Sequence, residues 1–99
     1  MKKDIRTKAV DQLFDAVLSL ENKQECFAFF EDICTVNELF SLAQRFDVGM
    51  KLMEKKTYQE ISAVTGASTV TISRVNRLLG DDNNGLEMAA ERIRKGKEQ

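Results

Sequence analysis

Within residues 69–77, "TVTISRVNR", the chain gathers short hydroxyls, one branched apolar side chain and two guanidiniums: Thr69, Val70, Thr71, Ser73, Arg74 and Arg77. Those are the groups that read a duplex in its major groove. Hydroxyls reach base edges or phosphates, a branched methyl pair packs on thymine C5, and Arg grips guanine or phosphate. Lys55 and Lys56, at the entry to the motif, are candidate phosphate contacts. No constellation for catalysis competes with this one. The chain contains no His, the commonest general base and metal ligand, and it shows no nucleophile arrangement, Gly-rich phosphate loop or paired acid dyad. No enzymatic activity is expected, and no metal or cofactor. Cys26 and Cys34 fit no zinc or redox spacing and read as two buried, reduced thiols.

Charge agrees with that placement once it is divided along the chain. The formal net charge is −1. Residues 1–50 carry six Lys/Arg against nine Asp/Glu, residues 51–79 five against two, and residues 80–99 four against five. The one net-positive third is the one that holds the hydroxyl and guanidinium groups, and a local basic patch is what phosphate contact requires.

The elements that must position these groups are helical. Ninety-nine residues suffice for one domain with a core of its own. Ile5, Ala9, Leu13, Val17 and Leu20 recur at three- and four-residue steps, predicting a helix over about 4–20. A second helix is expected over about 23–34. "TVNE" predicts a third from a Thr35 cap, with Glu38 reaching back, to about residue 54. "TYQE" repeats the capping form with Thr57 and Glu60 and starts a short helix at Tyr58 that stops near Gly66, with Ile61 and Val64 turned inward. "GDDNNG" is a loop in which Asn84 caps a last helix over about 85–95.

The segment after Gly66 is ambiguous by propensity, since four of the five residues from Thr69 to Ser73 are β-branched. A strand would need a partner strand, and no other segment offers one. A helix over 69–79 instead places Ile72, Val75 and Leu79 on one inward stripe and turns Val70 about 160° away from Ile72. With the helix at 58–65 and the small residues Gly66 and Ala67 between them, 58–79 reads as a helix-turn-helix. Its second helix is rich in poor helix formers and is expected to be the most mobile helix of the free protein. The apolar surface of the first three helices and the last exceeds what one chain can easily hide, which points to a dimer. No apolar run reaches membrane-spanning length and the N-terminus lacks a signal-peptide pattern, so the cytoplasm is the expected compartment. Taken alone, the same exposed helix pair could also serve as a helical protein-interaction or scaffold module.

"TVNELFSLAQRF", "KTYQEIS" and "TGASTVTISRVNR" together resemble the tryptophan repressor superfamily, in particular its YerC/YecD family of small repressor-like proteins. The last segment is also similar to the "TVSRV" recognition helix of LacI-type repressors. The resemblance implies an all-α fold of about six helices, an intertwined homodimer, and sequence-specific binding of double-stranded DNA by a transcriptional regulator, a repressor in the type case. It places Gln59, Ser62, Thr69, Val70, Thr71 and Ser73 against DNA. It also implies a small-molecule effector site at Thr35, Arg45 and Arg74. Val75 stands where the tryptophan repressor has Gly, and its branched side chain would obstruct a flat ring, which disfavours L-tryptophan. The residues by themselves leave another arrangement open, with Arg45 paired to an acidic neighbour and Arg74 on DNA directly.

Overall fold

The computed structural model describes residues 4–80 and 84–98, and among them six α-helices and no strand. They are α1 (Lys8–Ser19), α2 (Lys23–Ile33), α3 (Val36–Met53), α4 (Tyr58–Thr65), α5 (Thr69–Leu79) and α6 (Gly85–Glu98). The chain divides into two compact units, residues 1–37 and 38–99.

In the first unit α1 begins at Lys8, later than its apolar periodicity suggests, because the preceding residues form a capped lead-in. The Arg6 N–H donates to the Asp4 carboxylate at 3.0 Å, and the Thr7 hydroxyl accepts the Val10 N–H at 3.2 Å. Side-chain oxygens that offer the backbone such bonds favour caps and turns over helix interior. Asn22 caps α2 by accepting from the Glu25 N–H at 2.9 Å, while the Glu25 carboxylate accepts from the Glu21 N–H. Neither helix buries a residue completely. Phe14, Leu18, Phe27 and Ile33 are all more than half exposed. Cys26 is exposed as well, and Cys34 half-buried, which corrects the expectation of two buried thiols. A small hydrophobe is buried only if its helix face has something to pack against, and the outer face of α2 has nothing within this unit.

The second unit holds the core. Val48 from α3, Ile61 from α4, Ala67 from the turn, and Ile72 and Val75 from α5 form one buried cluster, with Leu52, Tyr58 and Leu86 packed against it. Each fully buried Val or Ile contributes about 1.5–3 kcal/mol relative to exposure, so this cluster fixes where α4 and α5 sit on α3. The close approach of α6 to α3 depends on Gly49, where an added Cβ would lie 2.5 Å from a Leu86 methyl. Asn84 stands at the cap position of α6, left-handed (φ 56°), and its carbonyl accepts the Met88 N–H at 2.9 Å. The rest of the "GDDNNG" loop, residues 81–83, lies outside the described residues.

Candidate nucleic-acid interface

α4 and α5 are joined by three residues, Gly66–Ser68, and each boundary has a local cause. Thr57 accepts the Glu60 N–H at 3.1 Å and donates its hydroxyl to the Glu60 carboxylate at 3.2 Å. Gly66 ends α4 in the left-handed region (φ 74°), its N–H bonded to the Ser62 carbonyl, a conformation that costs Gly far less than other residues. Ser68 then caps α5, accepting the Thr71 N–H at 3.2 Å. Three further bonds fix the turn. The Thr65 hydroxyl donates to the Ile61 carbonyl at 2.7 Å and accepts the Ala67 N–H at 3.1 Å, and the Gln44 amide of α3 donates to the Thr65 carbonyl at 3.2 Å.

Those bonds explain one departure from the sequence reading. Val64 was expected inside but is 70% exposed. The inward stripe of α4 is Tyr58, Ile61 and Thr65, with Ser62 half-buried at its edge, because Thr65 is needed inside for its backbone bonds, and this rotates Val64 outward. A search for apolar periodicity alone does not register a polar residue recruited to the core side by a hydrogen bond.

On α5 the inward pair is Ile72 (0% exposed) and Val75 (2%). Thr69, Val70, Arg74 and Arg77 are exposed, and Thr71 and Ser73 are half-buried on the flanks. Gln59 is exposed and Ser62 half-buried on α4, and Lys55 and Lys56 are exposed in the segment leading into it. Lys55 has a left-handed backbone (φ 66°), with Lys55 N–H bonded to the Leu52 carbonyl and Lys56 N–H to the Lys51 carbonyl. This is the double bond pattern that closes a helix C-terminus, and it seats both lysines at the entrance to α4.

Arg45 of α3 faces the Thr71–Arg74–Val75–Leu78 side of α5, and with Arg77 these residues line one open cleft of about 520 Å³. Among the described residues none of the three guanidiniums forms an ion pair. Among the described residues Arg45 has no acidic partner, and the nearby Asp47 carboxylate is engaged by Lys51, one turn on, at 2.5 Å. Thr35, the third residue of the implied effector set, belongs to the first unit.

The sequence profile of the Trp repressor protein family matches residues 8–94. The chain belongs to the Trp repressor family. This family member is 51% identical over 90 residues to the uncharacterized protein YerC of Bacillus subtilis (strain 168), covering 91% of this chain and 86% of YerC. Two solved structures superpose on it with a TM-score of 0.87. One is a TrpR-like protein from Eubacterium eligens, 53% identical, with 90% of this chain and 92% of that one covered. The other is a candidate Trp repressor from Staphylococcus aureus, 48% identical, with 91% and 90% covered. The all-α, Trp-repressor-like architecture is thus that of the family. No helix among its described residues is long and apolar enough to cross a membrane.

Proposed function

We propose that this Trp repressor family protein is a sequence-specific DNA-binding transcriptional regulator, acting as a cytoplasmic homodimer that represses by occupying its operator. The observation that carries the reading is the division of α5 into two faces. Ile72 and Val75 anchor it to the core, leaving Thr69, Val70, Arg74 and Arg77 outward and Ser73 on the flank, with neither guanidinium in an ion pair among the described residues. Lys55, Lys56, Gln59 and Ser62 extend the same function to phosphates at the entrance of α4, and Thr71 to the groove edge. The whole chain would then be one repressor-like domain, with 58–79 as its helix-turn-helix.

The dimer is supported by the large apolar side chains left uncovered. Leu18 is 83% exposed, and Val36 and Phe40 each 67%, and exposed apolar surface of this kind is what a protein–protein interface covers. Two α5 helices in a two-fold dimer would meet half-sites about one helical turn, roughly 34–36 Å, apart. Exposed Val64 and Val70 favour a second reading, a protein-docking face that does not bind DNA. Selection of fragments of the source genome on the purified protein separates the two. Recovery of a pseudo-palindromic sequence supports the regulator, and no enrichment over random fragments, with salt-independent protein binding, supports the docking module.

A further inference from the structure

We propose that Gln44 and Thr65 form a joint that sets the pose of α5 on α3, and that this pair thereby determines how sharply the protein discriminates between DNA sequences. The proposal rests on the DNA-binding reading above. The Gln44 side-chain amide donates to the Thr65 carbonyl at 3.2 Å, a bond between residues 21 apart in the chain. The Thr65 hydroxyl donates to the Ile61 carbonyl at 2.7 Å and accepts the Ala67 N–H at 3.1 Å. One residue therefore ties α3, the last turn of α4 and the linker into α5 together, and Ala67 is itself part of the core cluster. Only Gly66, Ala67 and Ser68 separate the joint from the first residue of α5. Gln44 also stands where helical period calls for an apolar residue. Gln44, Val48 and Leu52 follow one another at four-residue steps on one face of α3, and Val48 lies in the core with Leu52 packed against it. An apolar side chain at 44 would extend that seam. It would lose direction, because apolar contact is non-directional whereas an N–H···O bond weakens steeply off line. Both residues are half-buried, which shields the bond from competing water.

The length of α5 amplifies any error at this joint. At about 1.5 Å per residue Arg77 lies about 12 Å along the helix from Thr69, so a turn of about 5° at the linker displaces Arg77 by about 1 Å. Contacts to base edges need their groups held within about 0.5 Å. Phosphate contacts made by long Arg and Lys side chains supply affinity that does not depend on sequence. Loosening the joint therefore removes discrimination between sequences before it removes affinity for DNA, which makes Gln44 and Thr65 positioning residues.

Gln44→Met keeps the length of the side chain and deletes the donor, and Thr65→Val keeps the shape and deletes the hydroxyl. The affinities of the full-chain wild type, both variants and the double variant are measured at one salt concentration on two duplexes, a fragment selected from the genome and a scrambled duplex of the same length and composition. A thermal melt verifies folding, and since the two substitutions sit on different helices, either carries the comparison if the other does not fold. Each should weaken binding to the selected fragment about tenfold, on the order of one mismatched base pair, and leave binding to the scrambled duplex unaltered. The double variant should lose less than the product of the two single losses, because both act at one joint. Equal weakening on both duplexes is what loss of folded protein produces, and it overturns the proposal. Unaltered binding to the selected fragment, or losses that multiply, overturns it as well and leaves the DNA-binding reading standing. A wild type that does not distinguish the selected fragment from the scrambled duplex refutes that reading, and the proposal with it.

Discussion

Replacing Gly49 by Ala should destabilise the protein, although the same change on an exposed helix face stabilises by about 1 kcal/mol. Gly49 is buried in α3, and a Cβ there would stand 2.5 and 2.7 Å from the two Leu86 methyls and 3.1 Å from Leu86 Cγ. Leu86 is packed against the core cluster, so its side chain can move aside only by giving up that packing or by lifting α6. Inserting a methyl group into a packed contact costs about 1–3 kcal/mol, and expelling a Leu side chain altogether costs about 1.5–3 kcal/mol. Set against the helix-propensity gain, the net loss should be about 1–2 kcal/mol. Urea denaturation followed by circular dichroism, at one fixed protein concentration so that any subunit association cancels, measures it. The decisive comparison is a double-mutant cycle. With Leu86→Ala in place the obstruction is gone, and Gly49→Ala should then stabilise by about 1 kcal/mol, reversing its sign. If Gly49→Ala stabilises both backgrounds equally, α6 does not rest on α3 through this contact and the packing described for the second unit is wrong.

Gly66→Ala should cost about 1 kcal/mol and Gly66→Asn less, because an added Cβ meets nothing within 4 Å and the only penalty is the left-handed backbone; thermal melts of the two variants rank them. If a second copy covers the exposed Leu18 and Phe40 side chains, Leu18→Asp and Phe40→Asp should each shift the protein toward monomer in analytical ultracentrifugation, and unaltered sedimentation would count against that interface. Amide exchange on the free protein should show α5 less protected than α3. Its Thr, Val, Ile, Ser and Asn residues each cost a few tenths to about 0.7 kcal/mol against Ala in a helix, an amount comparable in sum to what burying Ile72 and Val75 returns.

The parts of this structure that were legible in the sequence are those set by local chemistry. Thr57 and Glu60 marked the start of α4 and Gly66 its end, and Ile72 and Val75 identified the inward face of α5 despite β-branched residues that suggested a strand. The misreadings have a common physical origin in interactions that cross between elements or involve polar side chains. Val64 faces outward because the Thr65 hydroxyl is committed to the turn, a hydrogen bond that no apolar periodicity encodes. Cys26 is exposed because the burial of α2 depends on what covers its outer face, which the sequence of α2 does not specify. The Arg45 cleft was only partly legible: Arg45 and Arg74 were foreseen together, whereas Thr71, Arg77 and Leu78 join them only once α3 and α5 have crossed.

The central claim, that the outward face of α5 holds DNA, is tested most directly by the salt dependence of binding to a fragment selected from the genome. The affinities of wild type, Arg77→Ala and Thr71→Ala are measured across a range of salt concentrations. If Arg77 contacts phosphate, its removal should flatten the plot of log affinity against log salt by about one unit, while Thr71→Ala should weaken binding with the slope preserved. Binding that is indifferent to salt, or that neither substitution alters, would contradict the account.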